Sequence, residues 1–490
     1  MPGNAAAIYF DARIINYETM KNLIYIACCS TLLCSCGIMK DYERPADLTQ
    51  GIDSLYRDTT ANSVAQADTT NFGNTPWQEV FTDPYLQKLI NKALANNADL
   101  RSADIAVKQA EASLKVARLA YYPAISFNPQ GAMTSWDFNK ATKTYSVPLA
   151  ASWQFNLFSL RNNKKKAQTG LEMTKAYKQA ARTSIIAGVA NMYYTLQMLD
   201  EQLKTTQETV DIWAENVRAM ELMKEAAMTN EAAVGQAKAN YYSLLTSVPT
   251  LKESISQTEN ALCTLLHEAP HAIERGTFDA DAFPASFSKG VPLQLLANRP
   301  DVNAAELQLA SSFYDVNIAR ASFYPTLNIT AQGSWTNSSG MGIVNPGKIL
   351  ANLLGSLAQP IFANGRLKAQ LKISKLAYDN ARLQFEQTLL NAGQEVSNAL
   401  STYHAAQIQQ ESRQKQVETL TQTLENTKQL FQYSSSTSYL ETLTAQQSLI
   451  QAQLNLISDK FDKVQAAISL YQALGGGREI STQTADTANN

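Results

Sequence analysis

Most of this 490-residue chain lacks cysteine, histidine and proline. Four of its five cysteines, Cys28, Cys29, Cys34 and Cys36, fall before residue 37, and only Cys263 follows. With that cluster set aside no intrachain disulfide is possible, and Cys263 reads as a small core residue. Proline is missing between Pro148 and Pro249 and again from Ile361 to the end, which leaves room for very long helices. An excess of one charge is also missing. Lys and Arg number 41 and Asp and Glu 43, a net −2, so there is no footprint of nucleic-acid binding. No apolar run approaches the roughly 20 residues of a membrane-spanning helix. Any crossing of a membrane therefore falls to strands.

The cysteine cluster has its own logic. Lys21 precedes an apolar core of about a dozen residues, as in a secretory signal. Leu33-Cys34-Ser35-Cys36 resembles the bacterial lipobox, which implies cleavage after Ser35 and lipid on Cys36. Residues 1–19 then form an upstream extension, consistent with a misplaced start, and residues 20–35 the lipoprotein signal peptide. Residues 36–76 are polar and read as a lipidated tether with little packed structure.

The body is duplicated. Asp99-Leu-Arg-Ser-Ala-Asp matches Asp301-Val-Asn-Ala-Ala-Glu, 202 residues on, and the match continues through Ala117-Arg118 and Ala319-Arg320. It reaches Tyr122-Pro123 and Tyr324-Pro325, where helical spacing gives way to alternation, the mark of a helix running into a strand. In the second copy Leu327, Ile329, Ala331, Gly333 and Trp335 alternate with Asn328, Thr330, Gln332 and Ser334. In the first, Ile125, Phe127, Gly131 and Met133 alternate with Ser126, Asn128, Gln130 and Thr134. Each has a partner strand after a polar loop. The expected strands are 124–136 and 145–158 in a first repeat over 77–270, and 326–337 and 349–362 in a second over 293–477. Residues 271–292 form a connector and 478–490 a polar tail.

Strands of about 10–13 residues match tilted membrane strands. Four cannot close a barrel, and an open edge in lipid is not viable. With lipid outside, several chains must share one barrel, and three would supply 12 strands.

The remainder is rich in helix formers. Leu196, Leu199, Leu203, Thr206, Val210, Trp213, Val217 and Met220 follow heptad steps, as do Val417, Leu420, Leu424, Thr427 and Phe431. Helices over 162–227 and 365–433 would each run about 100 Å. Each meets a break of small polar residues, 226–231 and 433–439, before a return helix over 232–266 or 440–474. Arg161, Lys164, Lys165, Lys166, Arg366 and Lys368 cluster where strand becomes helix. Anionic lipid headgroups and plain solvation of a helix start both account for them.

One motif argues for an enzyme. His267-Glu268-Ala269-Pro270-His271 fits H-E-x-x-H, but Pro270 breaks the helix that such a zinc site needs. The only other histidine is His404, and no nucleophile motif or phosphate loop stands out. Neither an enzyme nor a cofactor is expected, apart from the covalent lipid on Cys36. A lipid-anchored coiled-coil fibre would explain the heptads and the lipobox, but not two alternating hairpins at matching places.

Gly290-Val-Pro-Leu-Gln-Leu-Leu-Ala-Asn-Arg-Pro-Asp-Val-Asn-Ala-Ala-Glu306, followed by Ala319-Arg320 and Tyr324-Pro325, resembles the signature of TolC-like outer-membrane efflux proteins, in their lipoprotein (NodT-like) branch. The resemblance covers about Tyr42 to Gly477. It implies an α+β membrane protein: a homotrimer with one 12-stranded outer-membrane β-barrel, four strands per chain, continued by an α-helical coiled-coil tunnel in the periplasm of a Gram-negative bacterium. It implies no chemistry but an exit duct for small molecules such as drugs. The implied partners are a periplasmic membrane-fusion adaptor and an inner-membrane RND-type transporter. The same duct could instead serve type I protein secretion.

By the same match the hairpin tips form the periplasmic gate and adaptor contact: Ala227, Asn230, Glu231, Ser434, Ser435, Ser436, Thr437 and Tyr439. The family commonly has glycine at the positions of Ala227 and Ser435, and Ala233 replaces a frequent acidic residue. Tyr122, Pro123, Tyr324 and Pro325 would mark the helix–strand junctions at the membrane interface, with outer-membrane lipid beside them.

Overall fold

The computed structural model describes residues 40–46, 72–135, 137–138, 140–279, 283, 299–337, 349–433 and 439–478. The expected signal peptide, Cys36, most of the tether, most of the connector and the gate positions Ser434, Ser435, Ser436 and Thr437 lie outside the described residues.

After a 3-10 turn at Phe72–Asn74 come α1 (Trp77–Val80), α2 (Pro84–Asn96) and α3 (Ala98–Leu119). Strands β1 (Ala124–Phe127), β2 (Gln130–Thr134) and β3 (Thr142–Phe155) lead into α4 (Leu157–Glu225) and α5 (Glu231–Leu265). Then follow α6 (Pro300–Ala321), β4 (Thr326–Thr336), β5 (Ile349–Ala358), α7 (Arg366–Tyr433) and α8 (Tyr439–Ala473). Helices α3 and α6 have 22 residues each, and they begin 202 residues apart, as do β1 and β4. No described helix is long and apolar enough to cross a membrane.

The chain divides into two units. The first comprises Met1–Arg44, Ser113–Thr169 and Ala310–Asn380, and holds every described strand. Its sheet is antiparallel throughout, with β1 and β2 on one edge of β3, then β4, then β5.

Three of the four expected strands differ from the observed ones by more than one residue. The strand expected over 124–136 is two pieces in one register, Phe127 opposite Leu149 and Gln130 opposite Ser146. Asn128 and Pro129 make no ladder pair, because Pro129 has no N–H and that register sets Asn128 against Pro148, which has none either. The strand expected over 145–158 runs from Thr142 to Phe155. It starts early because Thr142, Lys143 and Thr144 pair with Thr134, Met133 and Ala132. It stops because Asn156 caps α4, its Oδ1 accepting from Ser159 N at 3.0 Å. The strand expected to reach 362 ends at Ala358, ahead of Pro360, which cannot donate to a ladder.

The second unit comprises Pro45–Ala112, Gly170–Leu309 and Ala381–Asn490, and its described elements are helical. Helices α4 and α7 run 69 and 68 residues without proline. Pro249 sits inside α5, where it removes one ladder bond without ending the helix. At one end of α8 a hub gathers distant parts of the chain. The Tyr471 ring meets Phe72 and Phe81 edge-on, with centroids 5.3 and 5.8 Å away. Its hydroxyl donates to Thr75 O at 2.8 Å and accepts from Gly477 N at 2.9 Å. A Cβ on Gly73 would lie 2.4 Å from Leu474 O, so only glycine allows this approach. The Gly477 and Gly476 carbonyls accept from Arg182 Nε at 3.2 Å and Thr183 Oγ1 at 2.9 Å.

Arg299 locks the same hub. Its side chain is 8% exposed. It grips Asp301 through Nε and Nη2 at 3.0 and 2.6 Å, Glu395 at 2.7 Å and the carbonyl of Ala473 at 3.0 Å. Burial pushes the Asp301 carboxyl up, but the hydrogen bonds and charge of Arg299 outweigh it and hold it below its ordinary value. A depressed pKa makes this contribution complete above the unfolded value near 4, and it is lost as pH falls through the folded value. Arg299→Met removes all four bonds and should cost about 3 kcal/mol, read as a lowered thermal midpoint. Glu395→Gln, at a carboxylate 57% exposed, should cost under about 1 kcal/mol.

Candidate channel wall and hairpin tips

The strand register sorts side chains into two faces. On one face Val147, Ala151, Trp153 and Phe155 of β3 lie opposite Trp335, Ala331, Ile329 and Leu327 of β4. Those in turn lie opposite Ile349, Leu353, Gly355 and Leu357 of β5. Ile125 and Phe127 of β1 join the same face, opposite Ala151 and Leu149. The other face carries Ser146, Ser152, Gln154, Asn328, Thr330, Gln332, Ser334, Asn352 and Ser356. It is less uniform than expected, because Leu350 and Leu354 sit there opposite Ser334 and Thr330.

The apolar face is bare. Ile125 is 73% exposed, Ile349 76% and Leu353 79%. Water-soluble proteins seldom leave so continuous an apolar surface uncovered. Among the described residues the sheet is also open, with β1 and β2 at one edge and β5 at the other.

The helix–strand junctions are short turns. Tyr122 N donates to Leu119 O at 2.9 Å and Tyr324 N to Ala321 O at 3.1 Å. Pro123 and Pro325 follow, and β1 and β4 begin on the next residue. Tyr122 is 69% exposed, whereas the Tyr324 ring packs on Phe158 with centroids 4.9 Å apart.

At the tip between α4 and α5, Met228 N donates to Met223 O and Ala227 N to Lys224 O, the paired bonds of a Schellman cap. This forces Ala227 to a φ of +55°, the left-handed region that favours glycine. Asn230 opens α5, its side chain accepting from Ala233 N at 3.0 Å. Glu231 follows in the first turn, where the helix dipole favours an anion, and pairs with Lys224 across the tip. The Lys224 hydrogen bond and charge hold its carboxyl below the ordinary value.

Tyr439 joins the two hairpins. Its hydroxyl donates to Asn216 Oδ1 of α4 at 2.9 Å, and its ring meets Phe431 edge-on at 5.2 Å. Burial raises its hydroxyl pKa. Beside it Trp213, Met220, Val234, Ala237 and Leu443 form a buried cluster. Trp213 and Met220 lie on the heptad seam, whereas no sequence pattern marks Asn216, an ordinary-looking polar residue three positions beyond Trp213.

The H-E-x-x-H residues do not sit on a helix. Helix α5 ends at Leu265, and His267 has a φ of +59°. Glu268 pairs with Lys92 at 2.7 Å, while His271 Nδ1 lies 3.0 Å from Ala269 O and 3.4 Å from Cys263 Sγ. Among the described residues no group of three or more His, Cys, Asp or Glu could hold a metal ion.

An open sheet with one bare apolar face, its strands joined to very long helices, defines a class. The sequence model of the outer membrane efflux protein family matches residues 89–267 and 291–476, and the chain belongs to that family. The cation efflux system protein CusC of Escherichia coli K12 is 28% identical over 457 residues, 92% of this chain and 98% of CusC. The probable outer membrane lipoprotein SilC of Salmonella typhimurium is 27% identical over 454 residues, 91% of this chain and 96% of SilC. A crystal structure of CusC superposes with a TM-score of 0.78 at 26% identity, covering 89% of this chain and 99% of that one. The chain is thus an outer-membrane efflux channel, and the family consists of channels, not enzymes.

Tyr439→Phe and Asn216→Ala should each cost about 1 kcal/mol of thermal stability, and the double variant little more than either. Ala227→Gly should raise stability by about 1 kcal/mol, by relieving the left-handed strain in the same assay.

Proposed function

We propose that three copies of this chain close one 12-stranded barrel in the outer membrane, with the long helices continuing it as a coiled-coil tunnel in the periplasm. The observation that carries this reading is the four-strand path with one bare apolar face and two open edges. An open edge in hydrocarbon leaves backbone groups unpaired, and neighbouring copies are the economical way to pair them. Leu327, Ile329 and Trp335 then meet lipid, and Asn328, Thr330, Gln332 and Ser334 meet water. Tyr122, Pro123, Tyr324 and Pro325 sit at the inner headgroup level. Cys36 carries lipid and the polar segment after it is the tether, but the tether expected over 36–76 stops short of its C-terminal end, because Phe72, Gly73 and Thr75 belong to the packed hub.

The duct receives small molecules, such as drugs or toxic compounds, from an inner-membrane RND-type transporter through a periplasmic adaptor. The hairpin tips form its lower entrance, gated by Ala227, Asn230, Glu231, Ser434, Ser435, Ser436, Thr437 and Tyr439. Uncharged polar strand faces favour a broad pore over a selective filter. CusC belongs to a cation efflux system by name. Cargo is chosen mainly by the pump.

The full-length protein should run as heat-resistant trimers from outer-membrane fractions and conduct in planar bilayers. Bulkier residues at Asn230 or Glu231 should change that conductance. Protein that becomes monomeric and fully soluble on Cys36→Ser would overturn the barrel.

A further inference from the structure

The chain as a whole is close to neutral, yet its charge is sharply partitioned. Segments Ser113–Thr169 and Ala310–Asn380 of the strand-bearing unit carry 14 basic and three acidic side chains. Much of this charge falls where strand becomes helix. Lys164 is exposed on α4, and Lys368, Lys372 and Lys375 are exposed on α7 at a spacing that sets them on one helix face. None of these four lysines has an ion-pair partner among the described residues.

Two features argue against simple solvation of a helix start. Helix α7 opens with Arg366 and Lys368 and no acid in its first turn, although the helix dipole favours anions there. The lysines are also interleaved with bare apolar side chains: Ile361 at 97% exposure, Phe362 at 83%, Ile373 at 60% and Leu376 at 57%. Cations alternating with exposed aliphatic and aromatic groups are the pattern of a membrane–water interface, where stems lie along acyl chains and ammonium groups reach the phosphates.

The N-terminal strap gives an independent mark of depth. Asp41 meets Arg161 at 3.3 Å and Lys165 at 3.5 Å, and Tyr42 packs on Phe313 with ring centroids 5.9 Å apart. Cys36 is five residues before Asp41. At about 3.5 Å per extended residue, its lipid attachment point cannot be more than about 18 Å from Asp41.

We propose that the band formed by Lys164, Lys368, Lys372 and Lys375 binds anionic phospholipid headgroups of the leaflet that receives the Cys36 acyl chains. This rests on the barrel reading. Lys164 follows the end of β3 by nine residues and Lys368 follows the end of β5 by ten, so headgroups of lipids against the apolar sheet face are the anions to which these side chains are offered. The protein thereby gathers a shell of anionic lipid at its waist, an attraction that should weaken with salt.

The test uses full-length lipidated trimer in nanodiscs of phosphatidylethanolamine containing a minor share of phosphatidylglycerol, with co-purifying lipid quantified. Wild type should enrich phosphatidylglycerol at least about fivefold over the bulk mixture at low salt, and less at high salt. K164Q/K368Q/K372Q/K375Q should remove the enrichment, while K140Q/K143Q in the β2–β3 hairpin keeps it. Equal enrichment in the quadruple variant would overturn the proposal. So would unchanged enrichment with an altered anion-to-cation preference of bilayer conductance, since the lysines would then face the water path while the duct itself stood. Failure of the wild type to form trimers or conduct would instead sink the barrel reading beneath it.

Discussion

A backbone N–H or C=O left unpaired in hydrocarbon costs several kcal/mol, and every strand at a sheet edge has a row of them. Among the described residues the sheet ends in such rows on both sides, at β1 and β2 and at β5. That one cost explains why the protein cannot be read as a self-sufficient domain. On the proposed barrel reading the apolar face meets lipid, lipid forbids free edges, and further copies supply their partners. The gap at Asn128 and Pro129 fits the same accounting. Two prolines facing one register break leave fewer unmet donors than two ordinary residues would.

The sequence signature of the family acquires a mechanical meaning in the hub. Arg299, Pro300 and Asp301 do no chemistry. Arg299 binds its neighbour Asp301, a carboxylate of α7 and the last turn of α8 at once. Pro300 starts α6, where its missing N–H costs nothing. A motif so specific in sequence thus marks a place where three helices are held by one cation. The tips show a softer version of the same principle, with a hydroxyl and an aromatic cluster joining two hairpins.

Much of this was legible in the residues because two periodicities differ so plainly. Alternation located the strands, and heptads with an absence of proline located the helices. Tyr122-Pro123 and Tyr324-Pro325 marked where one period changed to the other. What misled was reading alternation without hydrogen-bond capacity: Pro129 and Pro360 both sit in well-alternating stretches and both interrupt pairing. The tip was legible in outline, since Asn230 and Glu231 form a recognisable helix start. Asn216 was not, because its importance comes from Tyr439, 223 residues away, and no local pattern encodes that meeting. The hub was hidden for the same reason.

The bond from Tyr471 to Thr75 spans 396 residues of sequence. Gly476 and Gly477, which complete that corner through Thr183 and Arg182, are almost the last described residues. Contacts of such long separation form late and slowly, because the loop entropy must be overcome before they reward it. The beginning of the helical unit therefore waits for its end. A chain that stops just short of Tyr471 has nearly all of its helices but lacks the contacts that join the first turn at Phe72–Asn74 to the last helix.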